Sequence, residues 1–196
     1  MTGTTMEMEY VASAWPQLGS KAIGEAIQSN FAAAGMPKWS EEEVRFAQEF
    51  QTSLGLKAVG LNTTARAFGA RAQAFSSNDN GDVTWNVPSG LLNFPSIVPG
   101  VTPHNWQAGV TPTSSIAHKG EVAGAKVLAA SVLDLLTSPE VLQKAHAEFQ
   151  DATKESKYFS LMPADAKPPL EMNRDMMEKY RPQMRKHYLN KTPTFR

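Results

Sequence analysis

The sequence predicts a mixed α/β chain. Three observations carry that expectation: residues 4–11 alternate between apolar and polar, Val83–Val87 is a short β-branched and aromatic run, and several amphipathic helices announce their own caps. The 196 residues suffice for one domain with its own core, and 41% hydrophobic against 19% charged residues is a globular balance. The 19 basic and 19 acidic side chains cancel, so no general field draws nucleic acid or an anionic membrane, and neither is expected as a partner. With no cysteine, disulfides, thiolate chemistry and Cys-type zinc sites are excluded. The most apolar stretch, Val122 to Leu136, is broken by Lys126, Ser131 and Asp134 and is shorter than a bilayer span. No secretory signal is visible in residues 1–19, and the chain is expected to be soluble and cytoplasmic.

In chain order, Met6, Met8 and Tyr10 face one way and Glu7 and Glu9 the other, the period of a half-buried strand. Ser20 is placed to cap a helix carrying Ile23, Ile27 and Phe31, with Gly35 at its end. Ser40 and Glu43 have capping-box spacing and Trp39 and Val44 staple spacing, ahead of a predicted apolar face of Phe46, Phe50 and Leu54. Residues 57–82 resist assignment; Gly60, Gly69 and the run from Ser76 to Gly81 read as loop and turn. Val83–Val87 then reads as a strand stopped by Pro88, and a proline-rich stretch to Ser115 as irregular and functional. A long helix from about Ile116 to Leu136 is expected to bury Val122, Ala125, Leu128, Ala129, Val132, Leu135 and Leu136. Ser138-Pro139-Glu140 restarts a helix with Val141, Leu142, Ala145 and Phe149 on its buried side. Beyond Asp151 the chain turns Met-rich, proline-broken and basic (Arg181, Arg185, Lys186, Lys191, Arg196), with one helix expected near Asn173–Tyr180. Such a tail either wraps a partner or stays solvated.

Few groups here can carry chemistry. Asp79 and Asp82 bracket a glycine turn, His104 lies in the proline-rich stretch, and His118 lies where the long helix begins. Carboxylates and neutral imidazoles are good zinc or manganese ligands. Tight ligand spacing such as His-Glu-x-x-His is absent. From spacing alone Asp79 reads as a turn former and Asp82 as a cap or brace. His118 near a helix start suits a neutral hydrogen-bonding role as well as ligation. His104 has the best setting for a ligand. His146 and His187 read as structural or solvated.

Three ordered blocks carry a family resemblance. The segment from Ser76 to Pro88, containing Asn80-Gly81-Asp82-Val83-Thr84-Trp85, resembles the Ser-Thr-Asp-x-Gly-Asp-Val-Ser-Trp-x-x-Pro signature of amidohydrolases of the aminobenzoyl-glutamate utilisation protein B type. Pro103-His104-Asn105-Trp106-Gln107 is similar to that group's Gly-His-Ser-Trp-Gln. Ser114-Ser115-Ile116-Ala117-His118-Lys119-Gly120, followed by Ala125-Lys126-Val127-Leu128-Ala129, resembles its Thr-Ser-Ile-Gly-His-Lys-Gly and Ala-Lys-Val-Leu-Ala. The resemblance spans roughly residues 2–150.

The group belongs to the aminoacylase and glutamate carboxypeptidase metallopeptidases. The resemblance therefore implies the C-terminal part of a zinc-peptidase-like α/β catalytic domain, a central sheet flanked by helices. Residues 1–15 would be the end of an inserted lid and dimerisation domain, 16–150 catalytic-domain sequence, and 151–196 a tail. It implies metal-dependent hydrolysis of N-acyl or N-aroyl amino-acid amides, with a glutamate base and a zinc or manganese centre in the complete enzyme. By block order His104 takes the late metal-ligand position, with His118 as second choice, while Asp79, Asp82 and His118 shape the site or the substrate end. The family's early His-x-Asp, bridging aspartate and Glu-Glu pair have no counterpart here, Ser20 replaces a frequent asparagine, and Asn105 replaces a serine. The chain by itself is thus expected to hold no metal and to be inactive. Its expected partners are the missing N-terminal part or a homologous subunit, in a homo-oligomer, and a small amide substrate. The alternative is a non-catalytic interaction protein derived from that fold.

Overall fold

A computed structural model describes residues 2–69 and 78–188. Ser76 and Ser77 of the first block, and Lys191 and Arg196 of the basic tail, lie outside the described residues. The chain divides into two compact units, a larger one over residues 14–158 and a smaller one formed by the described parts of 1–13 and 159–196.

The larger unit is built on three helices, α1 (Lys21–Ala34), α5 (Ser115–Thr137) and α6 (Pro139–Thr153), each packed on the other two. Helix α1 forms where the caps predict it. The Ser20 hydroxyl accepts the Ile23 amide at 3.3 Å, and Gly35, at φ 73°, ends the helix. Its Ile23, Ile27 and Phe31 are buried with Val127 of α5 and Ala145 of α6. Asn30 adds a polar tie from α1 to α5, donating to Asp134 Oδ2 at 2.6 Å and Ser131 Oγ at 3.2 Å.

Helix α2 (Glu41–Ser53) carries the expected capping box in full. Its buried face differs from the predicted one. Glu43, Ala47 and Gln51 are buried, while Phe46 is left exposed and stacked on Phe50. The fully buried Gln51 causes this. Its amide bonds the Gly60 carbonyl (3.1 Å), the Gly60 amide (2.8 Å) and the Pro99 carbonyl (3.0 Å), clasping two loops that would otherwise bury unpaired backbone groups. A second small core of Ala47, Val98 and Ile116, with Trp39, Phe50, Leu61 and Val101 around it, seats α2 against the start of α5.

The α/β expectation, and with it the central sheet of a zinc-peptidase-like domain, is overturned: among the described residues every regular element is helical and there is no strand. Residues 4–11 have the right period, yet a strand exists only as part of a ladder, and no neighbour pairs with them among the described residues; Met6, Met8 and Tyr10 are exposed. At Val83–Val87, local hydrogen bonds defeat β propensity. The Gly81 amide donates to the Asn78 carbonyl, Thr84 Oγ1 donates to the Gly81 carbonyl at 2.7 Å, and the chain winds into the short helix α3 (Asn80–Thr84). The proline-rich stretch also contains a helix, α4 (Trp106–Val110), continued by a 3-10 turn over Thr111–Thr113.

Helix α5 has the predicted length but turns a different face inward. Ile116, Ala117, Gly120, Gly124, Val127 and Ser131 are buried, and of the predicted stripe Val122, Leu128, Val132 and Leu136 are exposed. A Cβ at Gly120 would overlap the Pro95 carbonyl, so small residues select this side for close approach. Helix α6 restarts at Pro139 as expected. In the smaller unit, α7 (Arg174–Met184) runs past the predicted Tyr180 through Pro182 and begins beside an Arg174–Glu171 ion pair. No single described helix is long and apolar enough to cross a membrane; α5 and α6 qualify only as a pair bent by 93°.

Candidate functional site

Pro103, His104 and Asn105 form a sharp turn before α4. His104 has φ 62°, the one non-glycine residue among those described in the left-handed region, where histidine is tolerated better than most side chains. Asn105 returns to extended backbone (φ −141°) and its Oδ1 accepts the Gln107 amide at 2.8 Å, capping α4. The turn leaves the His104 imidazole at the surface. A left-handed non-glycine residue costs on the order of 1–2 kcal/mol, and such strain gathers at functional positions.

Helix α4 packs on the 3-10 turn and that turn packs on α5; His104 lies in the turn before α4 and His118 near the start of α5. His118 is exposed in the first turns of α5, its amide bonded to the Ser114 carbonyl. Beside it, Ser115 and Lys119 of the same helix converge on Glu43. Glu43 Oε1 accepts the Ser115 hydroxyl at 2.6 Å, and Oε2 accepts Lys119 Nζ and the Ser40 amide, each at 2.7 Å. Burial alone would raise this carboxyl, but the hydrogen bonds from Lys119, Ser115 and Ser40 and the ammonium charge prevail and hold it at about 2. Lys119 also donates to the Lys38 carbonyl at 3.0 Å. The acid of the α2 capping box thereby also fixes the first turns of α5. Ser40-x-x-Glu43 spacing announces the cap; nothing in the sequence announces the reach to Lys119.

Asp79 lies in the turn just before α3 and Asp82 within it, and the bonds described hold α3 against residues 15–18. Thr84 Oγ1 accepts the Leu18 amide at 2.8 Å, Trp85 Nε1 donates to the Pro16 carbonyl at 2.8 Å, and Trp15 lies on Trp85 with ring centroids 4.6 Å apart. A Cβ at Gly81 would overlap the Trp15 carbonyl. Asp79 is exposed in the turn, but the side chain that bonds the turn is Asn78, whose Oδ1 accepts the Asn80 amide and Gln17 Nε2. Half-buried Asp82 faces Tyr158. Burial, then the Asp82 charge and hydrogen bond, keep that phenol above its ordinary range.

At the other side of α1, Glu148 of α6 closes the helix start. Its Oε2 accepts the Ser20 hydroxyl at 2.7 Å, and both oxygens lie within 3.2 Å of the Ala22 amide. Burial raises this carboxyl, and the Ser20 hydroxyl with the Ala22 and Lys21 amides outweighs it, so the group stays below the ordinary carboxylate range. A cleft of about 660 Å³ opens there, walled by Leu18, Phe68, Leu91 and Phe149 beside Ser20 and Glu148. Its walls suit an apolar or aromatic group.

Among the described residues no three His, Asp or Glu side chains converge in a way that could hold a metal ion, so His104, His118, Asp79 and Asp82 do not form one ligand set. No family model matches the chain, and no solved structure matches it. The resemblance read from the three blocks is borne out by a curated protein: the chain is 27% identical over 194 residues to a p-aminobenzoyl-glutamate hydrolase subunit of Escherichia coli (strain K12), a match that covers 86% of this chain and spans 40% of that protein.

Proposed function

We propose that the chain supplies one part of a metal-dependent amidohydrolase acting on N-acyl or N-aroyl amino-acid amides of the aminobenzoyl-glutamate kind. The observation that carries this reading is the match to a hydrolase subunit named for that substrate, over nearly the whole of this chain and less than half of that protein. His104 is assigned the place of a metal donor, with His118 as second choice. The exposed, left-handed setting of His104 supports it, since an imidazole held out from a strained turn is presented to something beyond the chain.

The described residues do not by themselves fit a zinc or manganese ion, because a lone imidazole cannot hold such an ion against water. The remaining donors and the base belong, in this reading, to other polypeptide. Asp79, Asp82 and His118 are assigned to shaping the site or the substrate end, with half-buried Asp82 facing Tyr158. A further subunit is also expected, because the similar Escherichia coli protein is named as a subunit of its hydrolase.

The test is hydrolysis of aminobenzoyl-glutamate in the presence of manganese or zinc. The purified chain is expected to give no turnover by itself and turnover when combined with polypeptide supplying the rest of the hydrolase, and His104→Ala is expected to abolish it. Clear turnover by the isolated chain would refute this reading.

A further inference from the structure

The cleft of about 660 Å³ at the start of α1 has two lining segments that are each tied to that helix. The Ser20 amide donates to the Ser89 carbonyl at 2.8 Å, which holds the strip carrying Gly90 and Leu91. Gln28 Nε2 donates to the Arg66 carbonyl at 3.2 Å, which holds the strip carrying Phe68. The Phe68 ring lies so close over Gly24 that a Cβ there would come within 2.6 Å of it. Phe149 of α6 completes the apolar lining. Phe68 is 46% and Leu91 61% accessible, although both line a hollow. Large apolar side chains left open around a concavity of this size are the usual lining of a small-molecule site, in which a few polar groups fix the ligand's orientation.

Here the polar groups are Ser20 and Glu148. The Glu148 carboxylate accepts the Ser20 hydroxyl and the Ala22 and Lys21 amides, and these donors keep it ionised. An anionic ligand group is therefore repelled from this end of the cleft. A full cation gains little there, because the donors and the Lys21 ammonium already offset the charge. Two carboxylate oxygens have about four acceptor sites, so three donors leave room for another N–H. A neutral ring bearing an N–H donor meets both conditions. We propose that this cleft binds an aromatic amine, its ring among Phe68, Leu91 and Phe149 and its N–H donating to Glu148. Within the functional reading above, on which the ligand's identity rests, that amine is the aminobenzoyl end of the substrate. The neutral aryl amine enters the cleft, and the amide and the anionic glutamate stay outside it.

The test reads binding by the full chain alone and so needs no turnover. In a two-dimensional amide NMR titration, p-aminobenzamide is expected to shift the Ser20, Leu91 and Phe149 signals. It is expected to bind about tenfold tighter than benzamide, the gain from one hydrogen bond to a charged acceptor. Glu148→Gln is expected to bring the two ligands level. Leu91→Asp alters an exposed wall position and leaves the Glu148 bonds in place; it is expected to weaken p-aminobenzamide roughly fivefold or more with an unchanged circular dichroism spectrum. Equal binding of the two ligands by the native chain, unaltered binding by Leu91→Asp, or shifts around His104 and His118 in place of the cleft would each overturn the proposal. Hydrolysis of aminobenzoyl-glutamate by the assembled enzyme, with no aryl amine bound in this cleft, would sink the inference and leave the functional reading standing. Aryl-amine binding here without such hydrolysis would do the reverse.

Discussion

Lys119 Nζ lies 2.7 Å from Glu43 Oε2, an ion pair whose acid is buried and whose base is half-exposed. The pair joins the first turn of α2 to the first turns of α5. Glu43 sits at about 2 when folded, against an ordinary 4.5, so its stabilising effect is complete above about 4.5 and is lost as pH falls through that interval toward 2. With solvent screening at the half-exposed ammonium allowed for, the loss is roughly 2 kcal/mol. Urea unfolding at pH 6 and pH 3 should show a lower midpoint at pH 3, and a much smaller difference in Glu43→Gln.

Gln51 is the second test. Gln51→Leu keeps the volume but leaves the Gly60 amide and two carbonyls without their partner. Burying unpaired backbone groups costs about 2–4 kcal/mol in total. Denaturant unfolding should report a loss of that size, and Gln51→Glu should fail to restore stability, because a carboxylate cannot donate to the Gly60 and Pro99 carbonyls.

Gly81→Ala is expected to push α3 off residues 15–18, since the new methyl meets the Trp15 carbonyl. Overpacking of this kind costs about 1–3 kcal/mol. The fluorescence of Trp15 and Trp85, now in contact, reads the change; an unaltered spectrum with unaltered stability would contradict the packing described.

Asp82→Asn removes the negative charge that faces Tyr158. The phenol should then titrate at lower pH than in the native chain, while burial continues to hold it somewhat up. Ultraviolet titration read against Tyr158→Phe isolates this group from the other tyrosines.

The helices legible in the sequence are those with their own punctuation. Ser20 and Gly35, Ser40 and Glu43, and Pro139 each satisfy or spare backbone groups within a few residues, so their effect is local and spacing reveals it. The expected strands fail because pairing is not local. Residues 4–11 carry a strand's period with no neighbour to pair with among the described residues, and Val83–Val87 is overruled by Thr84, whose hydroxyl serves both Gly81 and Leu18. The inward face of α5 is hard to read because hydrophobicity on both sides leaves only the glycines to choose, and Gly120 matters through the distant Pro95 carbonyl. Likewise the histidines and aspartates are visible as residue types, whereas the reach of Lys119 to Glu43 and of Glu148 to Ser20 spans 76 and 128 residues.

That last reach bears on how the chain is made. The carboxylate that completes the opening turn of α1 arrives only with the final helix of the larger unit, 128 positions later. A chain emerging from the ribosome therefore carries its first helix unfinished until nearly all of the unit has been synthesised, which favours slow, late closure over stepwise assembly from the N-terminal side. Nascent chains halted before residue 148 should leave α1 open to proteases, and those released beyond it should not.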